Sequence, residues 1–444
     1  MRRQESEPGA VATGPPDCGL RIGIADFDEG QLQIRNPNSA IPNRITRSLP
    51  LPVLTRAANI TSGPCVQFGT MSEFIPGLEL SRLFFEESVK PIVKLIAPEL
   101  RYAAALIGSG SEVLGFDDEM SADHHWGPRV MLFTEAGEND VLDQALRDHL
   151  PTEFHGYPTN FSEPDPTDNN VQRLVAIESG PINHRVDIFT IRDYLLAYLN
   201  FDIDREIEPA DWLTFPEQKL RSITTGEVFH DEIGLKDVLD RFAYYPHDVW
   251  LYLLASGWNR IGQEEHLMGR AGLVGDEIGS ALIAARLVRD IMRLCFLMER
   301  TYAPYPKWFG TAFDRLTCAS QIKPHLQSVL QSTTSQECEA HLVPAYEMIA
   351  SMHNDLGITD PLPATAGNFF GRPFKVIELI GGFSRAITER ISDPEVKHIA
   401  AKGLIGSVDQ FSDSTDLLSK PGWRRTLRRL YENSPGIVAE GDAH

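Results

Sequence analysis

Residues 106–129 give the clearest indication of the fold and have the sequence LIGSGSEVLGFDDEMSADHHWGPR. An apolar strand end is followed by two glycine-serine pairs, Gly108-Ser109 and Gly110-Ser111, and a polar loop then leads to the apolar run RVMLFT. Glycines allow the backbone to approach a phosphate closely, and serines add hydroxyl and N–H donors. An aspartate across such a site can hold the divalent cation that accompanies phosphates. The stretch therefore predicts a site for nucleotide chemistry.

The spacing in this stretch resembles the signature of the nucleotidyltransferase superfamily. That signature is Gly-Ser, 13 further residues and then Asp-x-(Asp/Glu) at a strand start, and here Gly108-Ser109 precedes Asp123 by that interval. The longer text is similar to an uncharacterised branch of the superfamily, domain of unknown function 4037, through GLELSRLFFEE, GEVFHDEIG and RTYAPYPKWFG. The likeness covers roughly residues 75 to 400.

The resemblance implies an α/β nucleotidyltransferase-like mixed-sheet domain followed by an all-α helical bundle domain. It also implies a nucleoside triphosphate and Mg²⁺ or Mn²⁺ as ligands, with Asp123 as the first metal-holding acid. The second acid of the superfamily falls at His125, so the usual pair of metal carboxylates is incomplete. The alternative for Asp123 is an exposed loop acid beside Asp117 and Asp118.

Asp187 lies alone among apolar neighbours in the predicted strand HRVDIFTI. A lone buried carboxylate is costly unless a cation or strong donors meet it. The resemblance assigns a third catalytic acid to such a strand, and Asp187 is the matching position. The alternatives are an ion pair with Arg185 or a strand-end acid that faces water.

His125 has two interpretations, which remain open at this stage. As a metal ligand, its imidazole would shift the preference from Mg²⁺ toward Mn²⁺; otherwise it is a strand-edge histidine stacked near Trp126. His124 takes the apolar spacer position of the motif and is expected to be packed. The triplet Asp123-His124-His125 also resembles the DHH phosphoesterases, but no upstream strand before residue 106 supplies the histidine and the Asp-x-Asp which that family needs.

The amino-acid composition disfavours some classes of binding partner. With 62 acidic and 41 basic residues among 444, the formal charge of −21 disfavours non-specific binding to nucleic acids or anionic membranes. The five cysteines have no zinc-finger or CxxC spacing, and no apolar run reaches 18 residues. We therefore expect a cytoplasmic protein with no membrane span. The sequence contains no P-loop, HExxH or GxSxG motif, so it does not indicate a P-loop NTPase, a zincin or an α/β-hydrolase.

The chain divides into four predicted segments. Residues 1–69 are a largely disordered or irregular extension in which LRIGIADF and QLQIR could form a hairpin, and 70–230 are the catalytic domain. Residues 231–431 are the helical domain, and 432–444 are a disordered tail. In the catalytic domain the patterns predict a helix from Gly77 that Pro91 bends or divides, a helix over 138–149, and strands at 102–107, 129–134, 172–178 and 184–190.

The helical domain contains one stripe of basic side chains. At 100° per residue, an apolar face of the helix over 276–302 lies opposite a stripe of four arginines: Arg286, Arg289, Arg293 and Arg300. These are either ion-paired structural groups or a wall that binds a triphosphate, with Arg293 near its centre. Lys307 is a further candidate for the phosphate tail, or else a surface lysine. The resemblance suggests a cationic small-molecule acceptor by analogy, which Glu264, Glu265 and Asp276 could receive.

The sequence thus predicts transfer of a nucleoside monophosphate from a nucleoside triphosphate to an unidentified acceptor, with release of pyrophosphate. The alternative is a degenerate, non-catalytic nucleotide-binding or regulatory protein, which the histidine at position 125 favours. The predicted nucleotide-binding residues are Gly108, Ser109, Gly110, Ser111, Arg293 and Lys307, and the predicted metal ligands are Asp123, His125 and Asp187.

Overall fold

A computed structural model describes residues 74–122, 125–137, 139–168 and 170–432. The described residues of Phe74–Ser162 and Arg173–His444 form one compact unit, and Glu163–Gln172 belongs to another. The described part of Glu163–Gln172 is a turn closed by a bridge between Asp165 and Val171. The predicted hairpin in the N-terminal extension and the predicted tail from residue 433 lie outside the described residues.

Eight strands and eighteen α-helices are described along these ranges. The strands are β1 (Tyr102–Leu106), β2 (Arg129–Thr134), β3 (Glu153–Phe154), β4 (Tyr157–Pro158), β5 (Arg185–Phe189), β6 (Glu227–Asp231), β7 (Gly367–Asn368) and β8 (Lys375–Val376). The helices are α1 (Gly77–Phe84), α2 (Lys90–Ile96), α3 (Asp140–His149), α4 (Ile191–Leu199), α5 (Pro209–Trp212), α6 (Glu217–Thr224), α7 (Leu235–Asp240), α8 (His247–Leu273), α9 (Glu277–Met298), α10 (Phe309–Phe313), α11 (Ala319–Gln331), α12 (Ser335–Asp355), α13 (Glu378–Gly381), α14 (Phe383–Thr388), α15 (Pro394–Lys402), α16 (Val408–Phe411), α17 (Thr415–Ser419) and α18 (Arg424–Leu427).

The central sheet has the strand order β5-β2-β1-β6. β2 pairs in parallel with β5, and β1 pairs in antiparallel with both β2 and β6. A mixed sheet followed by helices confirms the coarse α/β-then-helical prediction. The strand predicted at 172–178 is wrong, because that stretch makes only an isolated bridge from Leu174 to Phe161. β6 was not predicted, since its partner β1 is more than a hundred residues earlier in the chain.

Side chains alternate between the two faces of the sheet, and each face has its own core. On one face, Val130 and Leu132 pack with α1 and α3 through residues such as Phe84 and Leu146. On the other face, Met131 and Phe133 join a core that continues into the long helices α8 and α9. This second face, which carries the helical part of the chain, is also the face on which the candidate site is built.

The first helix is interrupted as the proline in its sequence predicts. A π-helical segment, Phe85–Val89, separates α1 from α2, and Pro91 lies at the start of α2. A proline has no N–H and its ring crowds the carbonyl four residues earlier, so a wider turn just before it relieves the conflict. No helix among the described residues is long and apolar enough to cross a bilayer.

Candidate functional site

The turn of residues 108–111 follows β1 directly and is held by a helix and a tyrosine. Gly108 has φ of +88°, and its N–H donates to the Ser222 carbonyl at 2.9 Å. A β-carbon at Gly108 would clash with the Tyr194 hydroxyl. Both the positive φ and this close approach therefore require glycine. The hydroxyl of Tyr194 is buried and has no hydrogen-bond partner among the described residues.

Asp187 lies on the same face of the sheet as this turn. It is paired in register with Met131, whose side chain belongs to the core that Tyr194 shares. Burial raises the pKa of Tyr194 well above its usual value, and the charges of Arg129 and Asp187 act on it in opposite directions. The Asp187 side chain is 43% exposed, so its carboxylate can meet a ligand, and the nearest atom of Arg185 is 3.8 Å away.

Arg185 lies between the two predicted metal ligands that the structure describes. Its Nη1 atom is 3.3 Å from His125 Nδ1, and its Nη2 atom is 3.8 Å from the Asp187 carboxylate. His125 itself has φ of +51°, a left-handed conformation that is uncommon outside glycine. Backbone strain of this kind often occurs at functional sites. The guanidinium of Arg185 thus lies next to both His125 and Asp187.

Asp123 and His124 lie outside the described residues, so the predicted approach of Asp123 to Asp187 stays a prediction. Among the residues that are described, no three His, Cys, Asp or Glu side chains come together as a metal site. The predicted metal ligands that the structure describes are the half-exposed Asp187 carboxylate and the His125 ring, whose nitrogen and oxygen atoms are of the kinds that bind divalent cations. The nearby Asp117 has a structural role, because it accepts hydrogen bonds from Gly77 N–H at 2.6 Å and Trp126 Nε1 at 3.0 Å.

The segment that follows α9 also contacts the turn. Trp308 Nε1 donates to Ser111 Oγ at 3.1 Å, and the Tyr305 hydroxyl is 3.2 Å from the same atom. Phe116 stacks on Trp308 with ring centroids 5.4 Å apart. These contacts fix the Ser111 end of the turn against the helical part of the chain. The segment RTYAPYPKWFG contributes to the sequence resemblance, but the sequence did not predict its contact with Ser111.

The Ser109 end of the turn rests on α4 and α6. The Ser109 hydroxyl is 3.4 Å from the Tyr198 hydroxyl, and the Lys219 ammonium lies 4.0 Å from the centre of the Tyr198 ring. Lys219 is only 6% exposed, and burial lowers its pKa to about 8. Sequence reasoning missed this lysine because helix α6 was not predicted. Its neighbours Leu220 and Ile223, which are buried on the same helix, were the available signal.

The exposed Lys307 lies at the edge of the turn. Its ammonium is 4.8 Å from the centre of the Trp308 ring, and its charge helps to lower the pKa of Asp118, which is lowered mainly by hydrogen bonds from Ser121. Binding of a phosphate tail by Lys307 stays a prediction.

Three of the four arginines in the α9 stripe contact other side chains of the protein. Arg286 forms an ion pair with Glu264, and Arg300 lies 3.9 Å over the ring of Trp250. Arg293 is 87% buried and lies 3.8 Å from the Glu217 carboxylate. Arg289 is half-buried, and burial lowers its pKa. These contacts favour the ion-paired structural interpretation, and triphosphate binding by Arg293 stays a prediction.

The acids proposed to receive a cationic acceptor also have partners within the chain. Glu264 pairs with Arg286, and Asp276 caps α9 by accepting the Gly279 N–H at 2.8 Å. Glu265 is buried and accepts backbone N–H groups at the start of α13, including that of Leu379 at 2.9 Å. Burial raises the pKa of Glu265 to about 7. All three acids are thus engaged within the chain, and binding of a cationic acceptor stays a prediction.

Residues 212–309 match the family model described as Domain of unknown function (DUF4037), which confirms the predicted resemblance over that range. Among solved structures, the nucleotidyltransferase-like protein from Exiguobacterium sibiricum 255-15 is similar over 62% of this chain and 77% of its own, at 11% identity and a TM-score of 0.26. No curated protein matches the chain. The matched range contains α6 with Lys219, and also Tyr305 and Trp308, which contact Ser111.

Proposed function

We propose that this protein is a nucleotidyltransferase, with a nucleotidyltransferase-like sheet, that transfers a nucleoside monophosphate from a nucleoside triphosphate to an unidentified acceptor. One observation carries the proposal. The glycine-serine turn after β1 and the half-exposed Asp187 on β5 lie on one face of the sheet and are linked through Tyr194. This arrangement supports a site in which one nucleotide meets phosphate donors and a metal-binding carboxylate.

Each residue has a role in this proposal. The backbone of Gly110 and the hydroxyls of Ser109 and Ser111 would contact the phosphates, while Gly108, whose N–H donates to Ser222, gives the predicted nucleotide-binding turn its shape. Asp123, Asp187 and His125 would hold Mg²⁺ or Mn²⁺, which would neutralise charge that develops on the transferred phosphoryl group. Lys307 receives the phosphate tail.

The transfer forms one P–O bond and breaks another. An acceptor hydroxyl or phosphate oxygen attacks the α-phosphorus, a new P–O bond forms, and the bond from the α-phosphorus to the bridging oxygen breaks. Pyrophosphate leaves with the electron pair of that bond, and the acceptor proton passes to solvent or to a nearby carboxylate. The chain contributes mainly positioning and charge, as is general for phosphoryl transfer.

The test is release of pyrophosphate from labelled ATP, GTP, CTP or UTP with Mg²⁺ or Mn²⁺. We expect at least one nucleotide to be bound and turned over or to label the protein itself, and we expect Asp187→Asn to reduce turnover by about a hundredfold or more. Asp240→Asn, an exposed acid at the end of α7, is the matched control and should leave turnover unchanged. Equal turnover by Asp187→Asn and the wild type would contradict the proposal.

A second candidate is a nucleotide-binding or regulatory protein without catalysis. The observation that favours it is Arg185, whose guanidinium lies 3.3 Å from His125, the position of the expected second carboxylate, and 3.8 Å from Asp187. A guanidinium there adds positive charge beside the proposed metal site and opposes cation binding. Tight nucleotide binding without any pyrophosphate release, in the presence of either metal, would select this candidate.

A further inference from the structure

Lys219 is a buried cation whose charge no carboxylate among the described residues neutralises. The residue is 6% exposed, and its ammonium packs 4.0 Å from the centre of the Tyr198 ring. Burial alone lowers the pKa of Lys219, and no neighbouring acid opposes that effect. An uncompensated buried ammonium costs free energy, and the face of one tyrosine ring offsets only part of it.

Two contacts show that Lys219 lies near the Gly108–Ser111 turn. Helix α6, which carries Lys219, ends beside the turn, where the Ser222 carbonyl accepts the Gly108 N–H at 2.9 Å. The Tyr198 ring that covers Lys219 carries a hydroxyl 3.4 Å from Ser109 Oγ. The exposed Ser109 and the buried Lys219 are thus joined through one tyrosine.

Arg129, a cation at the start of β2, differs from Lys219 because a carboxylate balances its charge. Its Nη2 atom is 2.5 Å from the Glu112 carboxylate, and the side chains of Arg129 and Glu112 are 12% and 5% exposed. The same Arg129 nitrogen donates to the Ser109 carbonyl at 2.9 Å, so this guanidinium supports the turn from within the protein. A ligand anion is therefore needed by Lys219 and not by Arg129.

We propose that Lys219 binds the polyphosphate of a nucleotide seated on the Gly108–Ser111 turn. The inference rests on the proposed function, whose phosphate-binding turn it extends by one residue. A lysine ammonium is a compact point charge that suits phosphate oxygens, and a phosphate beside it recovers the free energy that its burial costs. Lys219 is thus a binding and positioning residue that forms the floor of the turn.

The experiment uses the full chain and measures binding of sodium tripolyphosphate, ATP and adenosine by titration calorimetry, with thermal unfolding as a check of the fold. The variant Lys219→Met removes the charge and keeps the length of the side chain. Lys94→Met is the matched control, because Lys94 is an exposed lysine of α2, a helix packed on the opposite face of the sheet.

We expect Lys219→Met to weaken tripolyphosphate and ATP binding about tenfold to a hundredfold. Adenosine binding should be unchanged, and Lys94→Met should behave like the wild type. The melting temperature of ligand-free Lys219→Met should be equal to or above that of the wild type, since the variant removes an uncompensated buried charge. Tripolyphosphate should raise the melting temperature of the wild type and not that of Lys219→Met.

Three results would overturn the inference. The first is wild-type protein that binds neither tripolyphosphate nor ATP, and the second is Lys219→Met that binds both as tightly as the wild type. The third is failure of Lys219→Met and of a second variant, Lys219→Gln, to fold, because the charge would then be structural. Failure of the proposed function is distinct: polyphosphate binding that depends on Lys219, with no pyrophosphate released from any nucleotide, supports the inference and rejects the transferase.

Discussion

Two buried cations at helix α6 have different surroundings: Lys219 is part of the helix, and Arg293 of α9 approaches it through Glu217. Arg293 lies 3.8 Å from the Glu217 carboxylate, and that carboxylate also accepts the Ala303 N–H at 3.0 Å. Lys219, two residues after Glu217, has no carboxylate partner among the described residues. A cation with a protein anion holds elements together, whereas a cation without one is available to a ligand anion. We therefore expect a structural role for Arg293 and an anion-binding role for Lys219.

The strongest test of this comparison is Arg293→Met. Removing one partner of a buried pair leaves the other charge uncompensated, so we expect a loss of about 3–5 kcal/mol in the free energy of unfolding. Affinity of the folded variant for tripolyphosphate should not change. Urea denaturation measures the first effect, and Arg286→Met is the control, because its ion pair is 60% exposed on the arginine side and should contribute below about 1 kcal/mol.

The opposite outcome would restore the original hypothesis for the arginine stripe. If Arg293→Met folds with wild-type stability and loses affinity for nucleoside triphosphates but not for nucleosides, Arg293 contacts the triphosphate.

The second prediction concerns the turn. Gly108→Ala should lower the free energy of unfolding by about 2–3 kcal/mol, because the new methyl group meets the Tyr194 hydroxyl at a positive φ. Adding Tyr194→Phe should recover part of the loss in a double-mutant cycle. Gly234→Ala is the control for the backbone alone, since Gly234 also has positive φ but open space around it, and should cost about 1 kcal/mol. Equal losses at both glycines would show that the close approach to Tyr194 is unimportant.

The third prediction tests the contact between Arg293 and Glu217 through pH. Burial, followed by the nearby Asp409, raises the pKa of Glu217 to about 7. A carboxyl whose folded pKa lies above its unfolded value near 4.5 destabilises the folded state when it ionises. The free energy of unfolding should therefore fall as pH rises from about 4.5 to about 7, and Glu217→Gln should remove about 1–2 kcal/mol of that fall.

The measurement is urea denaturation across this pH range for the wild type and Glu217→Gln. The glutamine keeps an oxygen acceptor for the Ala303 N–H, so the variant isolates the charge. Identical pH profiles for the two proteins would mean that Arg293 fully compensates Glu217.

The smallest expected effect is at the metal end of the turn. If His125 is a metal ligand, nucleotide affinity should be higher with Mn²⁺ than with Mg²⁺, and His125→Asp should shift the preference toward Mg²⁺ within about tenfold. The aspartate also places a carboxylate beside Arg185, whose Nη1 atom lies 3.3 Å from the His125 ring. An unchanged metal preference would leave His125 outside the ligand set.

The sequence by itself determined the local features of this protein. The glycine-serine pairs predict the turn after β1, the apolar runs predict β1, β2 and β5, and the helical periodicity predicts α8 and α9. Each of these follows from residues close together in the chain, where steric preference and hydrophobic period act directly. The candidate residues Gly108–Ser111 and Asp187 were found in this way.

Only the tertiary structure decided which features meet. Pairing of β6 with β1, packing of Lys219 on Tyr198, and pairing of Arg293 with Glu217 join segments that are far apart in the chain. Arg293 and Lys219 carry the same charge in different surroundings. The cost of burying a charge depends on neighbouring groups in space, so the sequence could name the cations but not their roles.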